Sequence, residues 1–506
     1  MRSPDARAER AHIARNTARA RRVSGLIAGG WAFLLLTWAL ANPPFLSPDE
    51  PSHYVRAVSV SAGQLAPEYH VTVPPGLWAI WRHERGITCN AGRSKVSAAC
   101  VADAETANIP SRVWTAAGAY PPFYYVLPGL ALRAADDPFT ANRLGRLAAT
   151  SLCFLLLVLS VALLMSSLAP RLALLGLLVA VTPMALFLMG SLNPSGLEIA
   201  AGIAFFSALL RVARDERPPP WVLGSAAAAG IVLALSRTTG AAWIVLDLAL
   251  FVGLVGRSGA LRLVRGSRYG AGTAVVAGVL LVAVLANRVW EHANGSVITR
   301  QAGLGEASVD TFLAWLRPAV VQLPRVFNEY VGVFGWVDAL MPGVAYAAWH
   351  AILALIVGLA FVVGSRRERT VLVLALLASL ATVVVISAIL QSMTAQDVQG
   401  RHVLPFAVVV PLLAGEMIFR NRSKLALVDT GMLFALCAVG VGALQLVAWH
   451  ANGQRQGVGS EGPLLFLSDP SWSPPLGWYP WLIAVLAGAA LLALAAADRI
   501  PSLRRR

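Results

Sequence analysis

Charged residues are scarce in this sequence. Only 13% of its 506 residues are Asp, Glu, Lys or Arg, whereas 57% are hydrophobic and the mean hydropathy is +0.65. Soluble proteins carry about 25% charged residues, so the composition excludes a chain of soluble domains. Apolar runs recur from end to end, each near the ~20 residues that a helix needs to cross a bilayer. Because backbone groups in lipid must be satisfied within the segment, we predict an all-α, polytopic transmembrane protein.

The motifs of soluble enzymes are also missing. The sequence has no Walker A loop, no dinucleotide-binding glycine fingerprint, no Cys/His zinc spacing and no serine-nucleophile motif. A soluble ATP or nucleotide-sugar site is therefore not expected. Cysteine is equally rare, and two of the four, Cys153 and Cys437, fall in apolar runs, where they are expected to pack inertly. Cys89 and Cys100 share a predicted outer loop and are either two free thiols or, as we favour, a disulfide.

Positive charges exceed negative charges by 15, but their placement does not indicate a nucleic-acid partner. Basic residues gather in the arm 1–22, in the tail 498–506 and in short linkers, as the positive-inside rule requires of cytoplasmic segments. The first apolar run lacks a small-residue cleavage site and is interpreted as a retained anchor. The basic linkers hold Arg211, Arg214 and Arg217; Arg257, Arg262, Arg265 and Arg268; Arg366, Arg367 and Arg369; and Arg420, Arg422 and Lys424.

We predict about twelve spans in one transmembrane domain, 23–497, with both termini cytoplasmic. The even count places every basic linker inside. The apolar segment 121–135 is too short to span and is predicted to be an outer juxtamembrane helix. The large outer loops are 43–142 and 290–342, and the second is expected to contain interfacial helices at 309–322 and 323–334. The predicted spans are 23–42, 143–168, 172–190, 196–213, 221–236, 239–256, 270–289, 343–363, 371–390, 404–420, 425–448 and 480–497.

The densest cluster of chemically capable residues follows the first span. Pro51 suits the first turn of a helix and Asp49 suits its N-cap, which would place Asp49, His53 and Arg56 on one face with Glu50 beside them. The two carboxylates can supply a general base or together hold a divalent cation such as Mg²⁺ or Mn²⁺. The alternative is a capped surface helix with solvated charges.

Further polar residues fall on the same predicted side. Arginines at the outer face oppose the positive-inside trend, so each is either a snorkelling anchor or a contact for a phosphate or carboxylate. Several together predict a pocket for an anionic lipid headgroup or a lipid-linked phosphate. These candidate binding residues are Arg143, Arg146, Asn193, Glu198, Arg237, Asp338, Arg401 and His402.

Asp247 differs from these residues because it falls in the middle of a predicted span. Placing an acidic side chain inside the membrane costs free energy, and such residues often serve transport or proton transfer. A structural hydrogen bond to a neighbouring helix is the alternative interpretation.

Several motifs together resemble a bacterial membrane family known as domain of unknown function 2142. The resemblance runs from about residue 20 to 490 in the same motif order, and it departs at position 402, where His stands in place of the expected Tyr. The motifs are Pro-Asp-Glu-Pro-x-His-Tyr-x-Arg-Ala (48–57), Tyr-Pro-Pro-Phe-Tyr-Tyr (120–125), Thr-Pro-Met…Asn-Pro-Ser-Gly-Leu-Glu (182–198), Gly-Val-Phe-Gly-Trp-Val-Asp…Met-Pro (332–342) and Val-Gln-Gly-Arg-His-Val-Leu-Pro (398–405).

That family is in turn distantly similar to the GT-C glycosyltransferases, which carry an acidic pair in the first outer loop; Asp49 and Glu50 match it. The resemblance implies a bacterial cell-membrane enzyme that moves a sugar from a polyprenyl-phosphate donor to an envelope glycan or lipid acceptor on the extracytoplasmic face. It implies Asp49 as the first choice of base and Glu50 as the second. It also implies contacts to the donor phosphate from Arg56, Arg143, Arg237 and Arg401, with His53 as a further substrate-binding residue. A transporter or flippase, and an inactive scaffold for envelope assembly, are the alternatives.

Overall fold

The computed structural model describes residues 4–73, 88–101, 111–215, 217–265, 270–294, 309–394 and 397–497. The predicted tail, 498–506, lies outside these residues. The chain is helical, as predicted, with only two short strand pairs. Its first half forms helices α1 to α9, whose bounds are Pro4–Leu40, Glu50–Ser61, Val126–Leu132, Pro138–Leu164, Pro170–Ala180, Pro183–Met189, Pro194–Arg214, Pro220–Ser236 and Gly240–Arg265.

The second half forms helices α10 to α18. Their bounds are Gly270–Asn294, Val309–Val321, Leu323–Val331, Gly343–Val363, Arg366–Thr394, Leu404–Ala407, Val409–Arg420, Thr430–Gly457 and Trp478–Ala497. Strands β1 (His70–Val73) and β2 (Ser111–Trp114) pair antiparallel with His70 opposite Trp114, and β3 (Val333–Phe334) pairs with β4 (Ala339–Leu340) in the same way.

Each of the twelve predicted spans coincides with helix. Within the described part of the chain, nine helices are long and apolar enough to cross a membrane, or ten when a bent pair is included. Of the other two predicted spans, 221–236 is the 17-residue helix α8 and 404–420 is divided into α15 and α16. The count of twelve and the cytoplasmic placement of the termini stay predictions. Residues 4–22 of the basic arm are helical and continuous with the first span.

The third predicted span, 172–190, is not one straight helix. It is the bent pair α5 and α6, whose axes differ by 71° at the break between Ala180 and Pro183. Pro183 cannot donate a backbone hydrogen bond to the preceding turn, and the Thr182 side chain instead caps α6 by accepting from the Ala185 amide at 3.1 Å. The predicted juxtamembrane segment is a short 3-10 turn, Pro122–Tyr125, followed by α3.

Helix α7 is the centre of the bundle. Nearly all of its residues are buried, and it packs against α4, α6, α8 and α16. It begins beside the loop that follows α1 and ends beside the cytoplasmic arginine linkers predicted from the sequence. Its 21 residues separate these two ends by about 30 Å. Polar groups at its two ends therefore belong to two different sites.

Helices α5 and α16 touch through glycine. A Cβ on Gly415 would lie 2.5 Å from the Gly176 Cα, closer than packed atoms can approach. Neither backbone can retreat, because both helices are buried in the core.

We predict that Gly415→Ala destabilises the protein by about 1–3 kcal/mol, because the added methyl group separates α5 from α16. Thermal unfolding in detergent micelles measures the effect. Gly358→Ala is the control, since a Cβ there meets nothing within 4 Å, and it should leave the midpoint unchanged or raise it. Equal midpoints for the two variants would contradict the close packing.

Candidate functional site

The loop after α1 turns sharply at Asp49. This residue adopts a left-handed conformation, with φ +59°, and its side chain makes no capping bond to α2. Asp49 therefore occupies the predicted N-cap position of α2, which begins with Glu50 and Pro51 as expected, but its side chain does not cap the helix. Asp is one of the few residues other than glycine that tolerate this conformation. The turn directs the carboxylates of Asp49 and Glu50 into different environments.

Glu50 is fully buried and paired with Arg146 of α4. Its carboxylate oxygens lie 2.6 and 2.5 Å from the Arg146 Nε and Nη2, and Oε1 also accepts from the Leu192 amide at 2.8 Å. The Arg146 guanidinium also donates hydrogen bonds to the carbonyls of Asn42 and Pro43, at 2.9 and 2.8 Å. This cluster joins the end of α1, the start of α2, α4 and the α6–α7 turn.

The pairing removes Glu50 from the roles that the sequence suggested for it. Its oxygens already accept hydrogen bonds from Arg146 and Leu192, so Glu50 cannot share a divalent cation with Asp49 or act as the base without breaking the cluster. Arg146 is likewise satisfied and is a structural partner instead of a phosphate contact. Among the described residues, no group of three or more His, Cys, Asp or Glu side chains is arranged to hold a metal ion. The acidic pair therefore does not fit Mg²⁺ or Mn²⁺.

Asp49 is exposed where Glu50 is not. Its side chain is 52% exposed, and its Oδ2 lies 2.5 Å from Nη2 of Arg401, whose own side chain is only 5% exposed. Arg401 is held by the Gln399 side chain at 2.7 Å. Desolvation by the surrounding protein raises the pKa of Asp49, but the charge and hydrogen bond of Arg401, together with smaller electrostatic contributions from His53 and His402, outweigh it, and the pKa falls to about 2. Asp49 is thus a solvent-accessible, ionised carboxylate at neutral pH.

Two histidines beside Asp49 are neutral. His53 is buried, its Nδ1 lies 2.8 Å from the Tyr125 hydroxyl, and its ring packs edge-on against Tyr120 at 5.3 Å. Burial lowers the pKa of His53 to about 3 against the opposing effect of Asp49, and the charges of nearby arginines lower it further. Burial and the positive charge of Arg401 also hold the pKa of His402 well below its usual range. Both rings can therefore accept or donate hydrogen bonds without carrying charge.

A second buried arginine lies on the other side of Tyr120. The Arg237 Nη1 is 3.3 Å from Glu198, and its Nη2 is 3.4 Å from the Tyr120 hydroxyl. Glu198 is fully buried and is satisfied by Thr239 at 2.6 Å and Trp243 at 3.0 Å. Glu198 therefore has shorter partners than Arg237. Among the described residues, the Arg237 guanidinium donates to Ser195, Glu198 and Tyr120 at 3.2 to 3.4 Å, long contacts that a stronger acceptor can replace.

Asn193 supports this site from the start of α7. Its Oδ1 accepts from the Ser195 amide at 2.9 Å, and its Nδ2 donates to the Pro48 carbonyl at 2.9 Å. It fixes the residue before Asp49 and is a positioning group. The structure thus brings together five of the predicted residues with two tyrosines: Asp49, His53, Glu198, Arg237 and Arg401, with Tyr120 and Tyr125.

Three predicted binding residues do not reach the cluster with a free functional group. The Arg56 guanidinium donates to the carbonyls of Gln64, Leu65, Ala66 and Tyr120 at 3.0 to 3.2 Å, because it closes the loop after α2. The other two are Arg143, which is half-buried on α4 and forms no ion pair within the described part of the chain, and Asp338, which pairs with Arg455 at 2.7 Å.

Arg455 connects Asp338 to the disulfide loop. It donates to the carbonyls of Asn90 and Val96 at 2.7 and 2.6 Å, and the sulfurs of Cys89 and Cys100 are bonded, as favoured above. Sequence reasoning missed Arg455 because its partners are backbone carbonyls more than 350 positions away. Val337, two residues after Gly335, is left-handed with φ +64°, which marks the turn that carries Asp338.

An apolar cavity of about 250 Å³ lies near Arg401, between the α5–α6 bend and helices α12 to α16. Its lining includes Trp349, Leu376, Leu404 and Tyr330. Tyr330 follows Glu329, whose carboxylate accepts from the Gly400 amide at 2.6 Å and thereby connects the cavity wall to the Arg401 turn.

Residues 32–410 match the family model described as "Predicted membrane protein (DUF2142)". The chain belongs to this family. The membership predicted from the motifs is therefore confirmed, and with it the assignment as a multi-pass membrane protein. No curated protein matches the chain.

Two solved structures are similar to this DUF2142 protein over 93% of its length. Both are structures of ArnT from Cupriavidus metallidurans, with which this chain shares 12% sequence identity. The match covers 74% of the ArnT chain in the apo state, with a TM-score of 0.44, and 77% of the ArnT chain in a complex with undecaprenyl phosphate, with a TM-score of 0.41.

We predict that substitutions of the two neighbouring acids of the DUF2142 protein destabilise it to very different degrees. Glu50→Gln leaves the buried Arg146 charge uncompensated and should lower the free energy of unfolding by about 3–5 kcal/mol. Asp49→Asn removes a half-exposed partner and should cost about 1 kcal/mol or less. Chemical unfolding in detergent compares them, and a Glu50→Gln variant as stable as Asp49→Asn would contradict the structural role of Glu50.

Proposed function

We propose that this protein is a glycosyltransferase of the GT-C type in a bacterial cell membrane. It moves a sugar from a polyprenyl-phosphate donor to an envelope glycan or lipid acceptor on the extracytoplasmic side. The observation that carries this proposal is the ionised, half-exposed Asp49 carboxylate, held beside two buried arginines and two neutral histidines. The acidic position of the GT-C motif in the sequence supports the same assignment.

Asp49 has the properties of a general base. Its low pKa keeps it deprotonated at neutral pH, and its exposure lets an acceptor hydroxyl approach. A low pKa also makes it a weak base in the ground state. Binding of the donor phosphate to Arg401 would draw that guanidinium away from Asp49 and raise the basicity of the carboxylate when substrate is present.

Arg401 and Arg237 supply the anion site. Arginine binds phosphate oxygens bidentately, and in a site shielded from water it stabilises the charge that develops on a leaving phosphate. Arg401 already holds one carboxylate, and the long contacts of Arg237 can be exchanged for a phosphate oxygen. The Tyr120 hydroxyl and the neutral His53 and His402 rings complete a surface of hydrogen-bond donors and acceptors for the sugar.

The apolar cavity below the Arg401 turn accounts for the lipid part of the donor. Its lining is nearly all aliphatic and aromatic, so it favours isoprenoid units over a sugar or water. Leu404 lines the cavity three residues after Arg401, which supports a lipid tail bound near a phosphate held by that arginine.

The transfer step conserves atoms and charge. The acceptor oxygen attacks the anomeric carbon and passes its proton to the Asp49 carboxylate. The bond between the anomeric carbon and the phosphate oxygen breaks, and the polyprenyl phosphate departs with the bonding electrons, stabilised by Arg401 and Arg237. A single in-line displacement inverts the anomeric centre. No step involves a metal ion, because Glu50 is unavailable to complete a metal site with Asp49.

Ligand binding and transfer test the proposal. Protein in lipid nanodiscs is mixed with polyprenyl phosphate and a panel of polyprenyl-phosphate hexoses and pentoses, and binding is measured by native mass spectrometry. We expect retention of one lipid-linked sugar, about tenfold weaker binding in Arg401→Gln, and unchanged binding but loss of transfer in Asp49→Asn. Arg366→Gln, an exposed basic position at the opposite end, is the control. Full transfer by Asp49→Asn would reject the assigned base.

The pH dependence of transfer gives a second test. In the native protein Asp49 stays ionised well below pH 5, so its titration should not limit the rate between pH 5 and 8. Arg401→Gln removes a charge that lowers this pKa, so the pKa of Asp49 should rise, and activity should fall at a less acidic pH as the carboxylate is protonated. A profile of the rate against pH in both proteins measures the shift. An identical acid limb in the two would show that Asp49 is not the titrating base.

Transport is the second candidate function, because Asp247 favours it. This acid of α9 is buried, and neither carboxylate oxygen has a hydrogen-bond partner among the described residues. An unpaired acid within a span is suited to carrying a proton. If Asp247→Asn abolishes substrate movement across vesicles while Asp49→Asn does not, transport is the function; the glycosyltransferase proposal predicts the reverse dependence for sugar transfer.

A further inference from the structure

A second polar cavity lies at the far end of α7, about 30 Å from Asp49 by the length of that helix. Its volume is about 740 Å³, and it is bounded by the C-terminal ends of α4, α7 and α16 and by Thr17 and Ala20 of α1. We call it the arginine pocket, after the four arginines in its wall: Arg211, Arg214, Arg420 and Arg422. The positive-inside distribution places it on the cytoplasmic side.

The positive charge of the arginine pocket exceeds its negative charge. Arg211 pairs with Asp215 at 2.8 Å, and Arg214 binds Glu416 through Nε at 2.9 and 2.8 Å. Arg420 shares the same Glu416 through its Nε at 2.7 Å. Two carboxylates thus serve four guanidinium groups, a surplus of two positive charges among these six side chains, and within the described residues Arg422 has no ionic partner.

Part of this charge has an evident structural use. Arg214 donates to the Leu164 carbonyl at 2.6 Å, and Arg422 donates to the Phe419 carbonyl at 3.1 Å, so both stabilise helix C-termini. Capping does not explain Arg420. Its Nη2 is buried and, within the described residues, has no hydrogen-bond partner, which is costly for a cationic donor.

We propose that the arginine pocket binds a phosphate-bearing anion. A phosphate oxygen would satisfy the Arg420 Nη2 and offset the surplus charge of Arg420 and Arg422, while hydroxyls of Ser166 and Ser167 lie in the wall as further donors. Basic pockets between transmembrane helices on the cytoplasmic side recognise anionic lipid headgroups by this chemistry.

Trp221 points to where the ligand enters. Its side chain is 48% exposed at the wall of the cavity, next to the start of α8, and exposed tryptophans of membrane proteins favour the headgroup layer. A headgroup of the bilayer and a soluble phosphate compound share the same recognition chemistry, and the experiment separates these sources. The proposal does not depend on the glycosyltransferase assignment, because none of the Asp49 cluster contributes to this pocket.

Native mass spectrometry of the detergent-solubilised full chain provides the test. One arm titrates phosphatidylglycerol, with phosphatidylcholine as the zwitterionic comparison, and the other titrates inorganic pyrophosphate. We expect one anion bound selectively, with an apparent Kd about tenfold higher in Arg420→Gln and partly restored in Arg420→Lys. Arg211→Gln is the second variant. The Arg211 partner, Asp215, is partly exposed, so loss of this ion pair should not prevent folding.

Arg366→Gln is the matched control, because it removes one exposed positive charge from the same end of the bundle outside the pocket. Loss of phosphatidylglycerol binding in the pocket variants, but not in the control, would identify a lipid headgroup site. The same pattern with pyrophosphate would identify a soluble phosphate ligand. Equal binding by the native protein, Arg211→Gln and Arg420→Gln in both arms would overturn the proposal.

Discussion

The buried ion pair between Glu50 and Arg146 is the constraint on which the candidate site depends. Two charges removed from water are stable only when each is fully hydrogen-bonded. Here Arg146 and the Leu192 amide satisfy Glu50, while the carbonyls of Asn42 and Pro43, in the loop after α1, satisfy Arg146. The pair holds the start of α2 against α4 and the α6–α7 turn. Asp49 is consequently forced outward in a left-handed turn, and two adjacent acids acquire opposite properties.

Two buried arginines then define what the exposed acid can do. Arg401 keeps Asp49 ionised, and the neutral His53 adds no competing charge. Arg237 is supported by Glu198, which is satisfied by Thr239 and Trp243. The proposed base and the proposed anion site therefore lie a few side chains apart, an arrangement suited to transfer from a phosphate carrier.

The sequence was sufficient to predict the helical membrane fold, because apolar run length and basic linkers report directly on lipid and topology. It also singled out Asp49, Arg237 and Arg401. It could not distinguish Asp49 from Glu50, since that difference depends on Arg146, 96 positions away. Arg56 was misassigned for a similar reason: its acceptors are backbone carbonyls, which leave no mark in the residue pattern. Pro183 indicated a bend in the sequence, but the apolar run continues through it, so residues 172–190 were predicted as one straight span.

The two ends of α7 carry separate concentrations of arginine, and at one of them the half-exposed Asp49 lies beside Arg401. In our proposals, this end is the reaction centre and the other end is a binding site. It also explains why net charge alone was uninformative about function, since most basic residues fix topology or cap helices.

A cryo-electron microscopy structure of the protein with a bound polyprenyl-phosphate sugar tests the central claim most directly. The account predicts phosphate oxygens within hydrogen-bond distance of Arg401 and Arg237, isoprenoid units in the cavity lined by Tyr330 and Leu404, and the anomeric carbon facing the Asp49 side. A phosphate bound away from both arginines, with Asp49 still paired to Arg401 and remote from the sugar, would contradict it.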